Sequence, residues 1–254
     1  MELRPELLQV HGTIEHKLKD DKTVVTTMDV MVETRLRDSL AELEPAIGFV
    51  GEESGGDMKQ SSFWLVDPID GTEPFIRGLP FSTNMIALIH NGEPVMGVIY
   101  NFILDEYFHA IKGGGATKNG HAIHVSDRPL RRAFIGFGPK LKNPKHHGIR
   151  DRLRLKIVSM PQVGAGGYVL AAIASGAIEG MITFQSPGGP WDYAPGALLV
   201  TEAGGRVANF GSTSYDFTDT QLIASNAVIF DELKASLEDE IAAAERAPEH
   251  EAKS

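Results

Sequence analysis

The chain of 254 residues contains no cysteine. That absence excludes thiolate nucleophiles, Cys-ligated zinc, iron–sulfur clusters and disulfide staples together, so burial of apolar surface must hold the fold. Tryptophan occurs only twice and aromatics make up 7% of the residues. Trp64 and Trp191 therefore read as core anchors rather than as stacking platforms for bases. No apolar run reaches the roughly 18 residues of a membrane-spanning helix. The nearest, 168–182, is broken by Ser175, Gly176 and Glu179. The opening MELRPELLQVHGT lacks the basic-then-apolar order of a signal peptide, which leads us to expect a cytoplasmic protein without membrane contact. Positive charge is also scarce: 24 Lys and Arg face 34 Asp and Glu, a net charge of −10. A nucleic-acid polymer is not expected as a partner.

What is present is an ordinary globular composition, 42% hydrophobic and 23% charged, which excludes wholesale disorder. The reading is a single domain over 1–245, with sub-lobes of about 1–126 and 127–245, followed by a flexible tail at 246–254. Residues 26–43 read as an amphipathic helix capped by Thr26, with Met28, Val32, Leu36, Leu40 and Leu43 on one stripe. Short apolar runs at 46–50 and 63–66 each end in acids. Asn91-Gly92 marks a hairpin between strands 83–90 and 94–101, and Asn119-Gly120 marks another turn in a meander continued by 106–111 and 122–125. Beyond residue 130 come strands at 133–137 and 156–160, a small-residue helix at 164–175 and a strand at 178–184. A helix entered through 188–192 and stopped by Gly204-Gly205, a strand at 221–224 and a terminal helix from about Phe230 complete the pattern. Interleaved helices, strands and hairpins make the class α/β of the α+β type, with layered sheets.

Charge is unevenly distributed. Residues 128–156 hold ten Lys and Arg against one acid, Asp151, whereas eight acids and three bases follow Phe230. The basic stretch reads as a solvated face, the sharper alternative being recognition of a second phosphate. His146-His147 within it lacks the spaced partners of a zinc site and reads as loop surface.

Four places put carboxylates where folding alone does not need them: Asp29, Glu52-Glu53, Asp67 with Asp70, and Asp192. Taken singly, Asp29 reads as a cap, Glu52-Glu53 as a solvated turn and Asp192 as a helix-start acid. The run DPIDGT (67–72) is different, because a turn accounts for its Pro, its Gly and one Asp but not for a second Asp and a Thr. Carboxylates crowded together repel, and a hard divalent cation such as Mg²⁺ relieves that repulsion. The proline stiffens the run so that Asp67, Asp70 and the carbonyl of Ile69 face one point. Gly71 and Thr72 then open a short helix at 72–76, with Pro74 in its first turn, and their amides are free to hold a phosphate oxygen.

The runs KDDKTVVTTMD (19–29), GEES (51–54), DPIDGT and GGPWDYAPGALLVTEAGG (188–205) resemble the signatures of the inositol monophosphatase family over about 19–226. The resemblance implies Mg²⁺-dependent, lithium-sensitive phosphatases of small phosphate monoesters, a layered αβαβα sandwich with two mixed or antiparallel sheets, and a homodimer. By position it implies Glu52, Asp67, Ile69 through its carbonyl, Asp70 and Asp192 as metal ligands. Glu53 takes the place of a supporting acid, Asp29 and Thr72 that of the water-orienting pair. Lys19 matches a lysine near a metal-linked water, with Lys17 and Lys22 as neighbouring registers. Gly71, Thr72, Asp70, Asp192, Gly166 and Gln185 are the candidate substrate contacts.

The chemistry expected is direct attack of a metal-activated water on phosphorus, with two or three Mg²⁺ ions clamping the entering and leaving oxygens. The proton leaves through Thr72 and Asp29 or Glu52, the catalytic set being Thr72, Asp29, Glu52 and Lys19. An aspartyl-phosphate mechanism is disfavoured because the two acids of DPIDGT are three apart, not two. Among substrates, inositol 1-phosphate or a related polyol or sugar phosphate stands first. Histidinol phosphate, fructose bisphosphate and 3′(2′),5′-bisphosphate nucleotides are alternatives, and an inactive metal- or phosphate-binding protein is the non-enzymatic one. No acid lies between Glu179 and Asp192, where inositol-selective members carry one; Thr183 and Gln185 stand there instead. Arg77, in PFIRGLP, resembles the histidinol-phosphate members as much as any other, and the few residues before Lys19 predict a short or altered first helix.

Overall fold

The computed structural model describes residues 3–18, 24–138, 144–184 and 188–246. Helix α1 (Arg4–Val10) is short, as expected, and precedes a two-stranded ribbon of β1 (His16–Leu18) and β2 (Val24–Thr26). Helix α2 (Thr27–Leu43) starts where the capping signal lies: the Thr26 hydroxyl accepts from the Met28 N–H at 3.1 Å, and Asp29 Oδ2 accepts from the Thr26 N–H at 2.7 Å. This reciprocal cap satisfies amides that have no intrahelical acceptor.

A seven-stranded sheet follows in the order β3 (Gly48–Gly51), β4 (Ser62–Asp70), β5 (Thr83–His90), β6 (Glu93–Asn101), β7 (Glu106–Ile111), β8 (Ala116–Lys118) and β9 (His121–Ala122). Only the β3–β4 pair is parallel. Strand β4 is buried on both faces, Phe63 and Leu65 packing with Val50, Ala87 and Ile89, and Trp64 and Val66 with Leu40. That two-sided burial is why FWLV reads as a continuous apolar run instead of an alternation. Asn91 and Gly92, at φ 50° and 79°, make the tight β5–β6 turn, and Asn119 and Gly120 repeat it at β8–β9. Both pairs sit in the left-handed region that such turns demand.

The second sheet has four strands in the order β10 (Ile135–Phe137), β11 (Gly180–Thr183), β13 (Leu222–Ser225) and β12 (Arg206–Asn209), with β10 and β11 parallel. Helices α5 (Gly166–Ala174) and α6 (Ala194–Glu202) lie between the sheets. Met85, Ile99 and Phe108 of the large sheet share one cluster with Leu170, Leu199 and, from the small sheet, Met181 and Leu222. Helices α4 (Pro144–Leu153) and α7 (Phe230–Arg246) cover the far side of the small sheet through Ile149, Leu153, Leu233 and Leu237. On the outer side of the large sheet, α1 and α2 complete an αβαβα order with two mixed sheets. Among the described residues, no helix is long and apolar enough to cross a membrane.

Several elements differ from the sequence reading. The strand expected at 122–125 is confined to His121–Ala122, because the Val125 N–H turns away to bond Ala203 O at 3.0 Å. The strand expected at 156–160 is a 3₁₀ turn over Arg154–Lys156 followed by a single bridge from Ser159 to Phe134. Strands β8 and β12 were not anticipated. The basic stretch contributes α4, so His147 lies on a helix rather than in a loop.

Candidate metal centre

Asp67 and Asp70 are three residues apart on β4, and in a regular strand such residues point to opposite faces. Here the register shifts: Asp67 pairs with Met85 and Asp70 with Thr83, three residues on β4 against two on β5. The bulge brings both carboxylates to one side. Asn84 Nδ2 donates to Pro68 O at 2.6 Å and pins the bulged carbonyl from β5. Asp192 arrives from the other half of the chain, on the 3₁₀ turn Pro190–Asp192 just before α6. Carboxylate oxygens of Asp67, Asp70 and Asp192 lie within 4.8 Å of one another.

The electrostatics of this group are adverse without a cation. Burial is the main cause that raises Asp67 well above its ordinary value, with the charges of Glu52, Asp192 and Asp70 adding to it. Asp192 is raised in the same way, by burial first and then by Asp70 and Glu52. Burial carries Asp70 to about 7, even though the Gly167 N–H at 2.8 Å, the Gly166 N–H at 3.1 Å and the Thr83 hydroxyl at 3.3 Å all favour its charged form. Those two amides open α5, so the positive end of that helix faces Asp70. Among the described residues, Asp67 Oδ1 and Asp192 Oδ2 are enclosed and have no hydrogen-bond partner. Buried acceptors are rarely left unpaired, and paired carboxylates that lack donors form the oxygen set a hard divalent cation takes. The residues fit such an ion.

Other predicted residues, among those described, adjoin this group. Asp29 is fully buried; its Oδ2 holds Thr26, and its Oδ1 accepts from the Thr72 hydroxyl at 3.2 Å. That hydroxyl also lies 3.1 Å from Ile69 O, and its one proton serves one acceptor at a time. Burial raises Asp29 as well, against its bonds to Thr26. Gly71 caps α3 (Thr72–Ile76) at φ 80°, where a side chain would be strained and would also run into Ala165. Glu52, beyond the end of β3, stands outside the tight three-residue group, but its charge acts on Asp29, Asp67, Asp70 and Asp192. The Gly166 amide is engaged by Asp70. Lys19 and Gln185 lie outside the described residues. Trp64 is buried in the core, and Trp191 packs against the Phe63 and Ala194 cluster.

Sequence reasoning missed Thr83, Asn84 and Glu33, which hold these side chains in place, and took the run 164–168 for a pocket lining without assigning the Gly167 amide to Asp70. Glu33 is 2% exposed and accepts from the Glu53 N–H at 2.7 Å and the Ser54 N–H at 3.0 Å. Its spacing of four from Asp29 was the one local signal, since residues so spaced share a helix face.

Residues 3–247 match the model of the inositol monophosphatase family. Inositol monophosphatase 2 of Solanum lycopersicum is 36% identical over 230 residues, 86% of either chain. A fructose-1,6-bisphosphatase/inositol-1-monophosphatase of Aquifex aeolicus is 30% identical over 219 residues, 84% of this chain and 81% of the relative. The solved structure of an IMPase from Thermotoga maritima superposes with a TM-score of 0.88 at 26% identity, covering 96% of this chain and 95% of that one. With two carboxylates of a bulged strand meeting a third from the turn before α6, the chain belongs to the inositol monophosphatase family of phosphatases.

Proposed function

We propose that the protein hydrolyses a small phosphate monoester, an inositol 1-phosphate-like polyol or sugar phosphate, with Mg²⁺ as its cation. The observation that carries this is a pair of enclosed oxygens, Asp67 Oδ1 and Asp192 Oδ2, that have no partner among the described residues and converge with Asp70. Asp67, Asp70 and Asp192, with Glu52 and the Ile69 carbonyl, are the residues to hold two or three ions. When bound, the cation offsets the carboxylate charge, polarises the phosphoryl oxygens and acidifies water.

The chain's own groups do the rest. With its proton given to Asp29, the Thr72 hydroxyl turns a lone pair outward and orients the attacking water. Asp29, kept basic by burial, is the acceptor at the end of that relay. The Gly71 and Thr72 amides, at the start of α3, lack intrahelical acceptors and serve the phosphoryl oxygens as charge spreads over them. The ester P–O bond breaks as the water P–O bond forms, and the leaving alkoxide takes up a proton. Gly166, whose amide is committed to Asp70, acts on that carboxylate rather than on substrate. Lys19 and Gln185 complete the set by family position, as do lithium sensitivity and a homodimer.

Release of inorganic phosphate from inositol 1-phosphate, histidinol phosphate, fructose 1,6-bisphosphate and adenosine 3′,5′-bisphosphate, each with and without Mg²⁺, tests the proposal. A polyol or sugar monophosphate is expected to give the highest kcat/KM. Preference for a bisphosphate would reassign the substrate class, and no release from any ester would leave only a binding role.

A further inference from the structure

Helix α2 carries a second buried acid whose role the carboxylate cluster does not explain. Glu33 stands one turn beyond Asp29, and its two oxygens take the backbone N–H groups of Glu53 and Ser54 at 2.7 and 3.0 Å. Arg37, a further turn along, donates to Glu33 Oε1 at 3.1 Å, donates to the Ser54 hydroxyl and lies 4.8 Å over the Phe49 ring. The turn held in this way is the one that carries Glu52. Its other anchors are the Glu52 N–H on Val66 O at 3.1 Å and the reciprocal Gly51–Gly55 pair at 3.0 and 2.9 Å. A Cβ at residue 51 would run into the Glu33 carboxylate as it stands, so the glycine leaves the space in which that carboxylate lies against the turn. Two successive amides aimed at one carboxylate fix a turn much as a nest fixes an anion.

We infer that Glu33 is a positioning residue: by clamping residues 51–54 it aims the Glu52 carboxylate at the Asp67–Asp70–Asp192 group and so sets the affinity for the divalent cation. Together, Asp29 and Glu33 make one face of α2 the support of two sides of the site, the water-orienting Thr72 and the Glu52 turn. The inference rests on the cation reading above and goes beyond it by assigning this control to a residue that touches neither cation nor substrate.

The test is calorimetric titration of Mn²⁺ into metal-free protein without substrate, for wild type, Glu33→Gln and Arg37→Ala. Thermal unfolding of each metal-free protein is recorded alongside. Glu33→Gln keeps the shape but sets an amide N–H against a backbone N–H, and it should bind Mn²⁺ about 10- to 100-fold more weakly. The substrate KM at saturating cation should stay unchanged. If Glu33→Gln does not fold, Arg37→Ala, which removes the guanidinium that holds both Glu33 Oε1 and the Ser54 hydroxyl and so loosens the clamp, decides the matter with an expected loss of several-fold. Undiminished Mn²⁺ affinity in a folded variant overturns the inference, whatever its melting temperature. Wild-type protein that takes up no Mn²⁺ overturns the cation reading itself and this inference with it.

Discussion

Among single residues, the proposed function has Thr72 orient water and the acids hold the charge of the cation. Thr72→Val removes the hydroxyl between Asp29 and Ile69 O but no carboxylate. It should lower kcat by about 10²–10⁴-fold while calorimetric Mg²⁺ affinity stays at the wild-type value. A parallel fall in both would show that Thr72 supports the fold of the site rather than the water. The acids make a second prediction. Unfolded, these carboxyls titrate near 3.8, whereas in the folded chain Asp67, Asp192, Asp29 and Asp70 are all raised, Asp70 to about 7. Between those values the folded state holds protons that the unfolded state has released, so the cation-free protein loses stability as pH rises through that window. Mg²⁺ should therefore raise Tm more at pH 8 than at pH 5, where protons compete with it. Equal gains at the two pH values, read by differential scanning calorimetry, would contradict the cluster's electrostatics.

For the elements, the decisive arrangement is a β-bulge set against the first turn of a helix. Gly167 brings its N–H to Asp70 at 2.8 Å, and a methyl group there would meet both that carboxylate and the buried Met85 thioether. Helix propensity alone favours Gly167→Ala by up to about 1 kcal/mol, but overpacking at such a site costs about 1–3 kcal/mol. The collision should win, so urea unfolding should show net destabilisation, accompanied by weaker cation binding. A stabilised variant would mean that the α5 start is looser than the geometry indicates. The same comparison shows what was legible in the sequence. DPIDGT declared itself because its acids are crowded within one short run, and Thr26 with Asp29 because capping is local. The amides of Gly166 and Gly167 are more than ninety positions from Asp70, and no spacing rule links them. Glu33 was hidden because a lone Glu on an amphipathic helix looks like a solvent-facing residue. The segment 156–160 misled for the opposite reason: its apolar content is that of a strand, but it has a partner at only one bridge.

In the molecule as a whole, two blocks of opposite charge that stood far apart in the sequence face each other. Arg152 of α4 pairs with Glu240 of α7, and Lys156 donates to Ser236 at 3.2 Å. The basic stretch thus packs partly against the acidic C-terminal helix, on the outer layer remote from the bulge. Layering places the site between the halves: β4, α2 and α3 supply one wall, and α5 and the turn before α6 the other. Neither half holds the full set of carboxylates, so folding both sheets is what creates the charge concentration that a cation must relieve. The most direct measurement is phosphate release from inositol 1-phosphate during Mg²⁺ titration of EDTA-stripped protein, with Asp67→Asn beside wild type. Activity absent from the stripped protein, restored by Mg²⁺ and lost in Asp67→Asn is the predicted result; undiminished turnover in EDTA, or in Asp67→Asn, would contradict it.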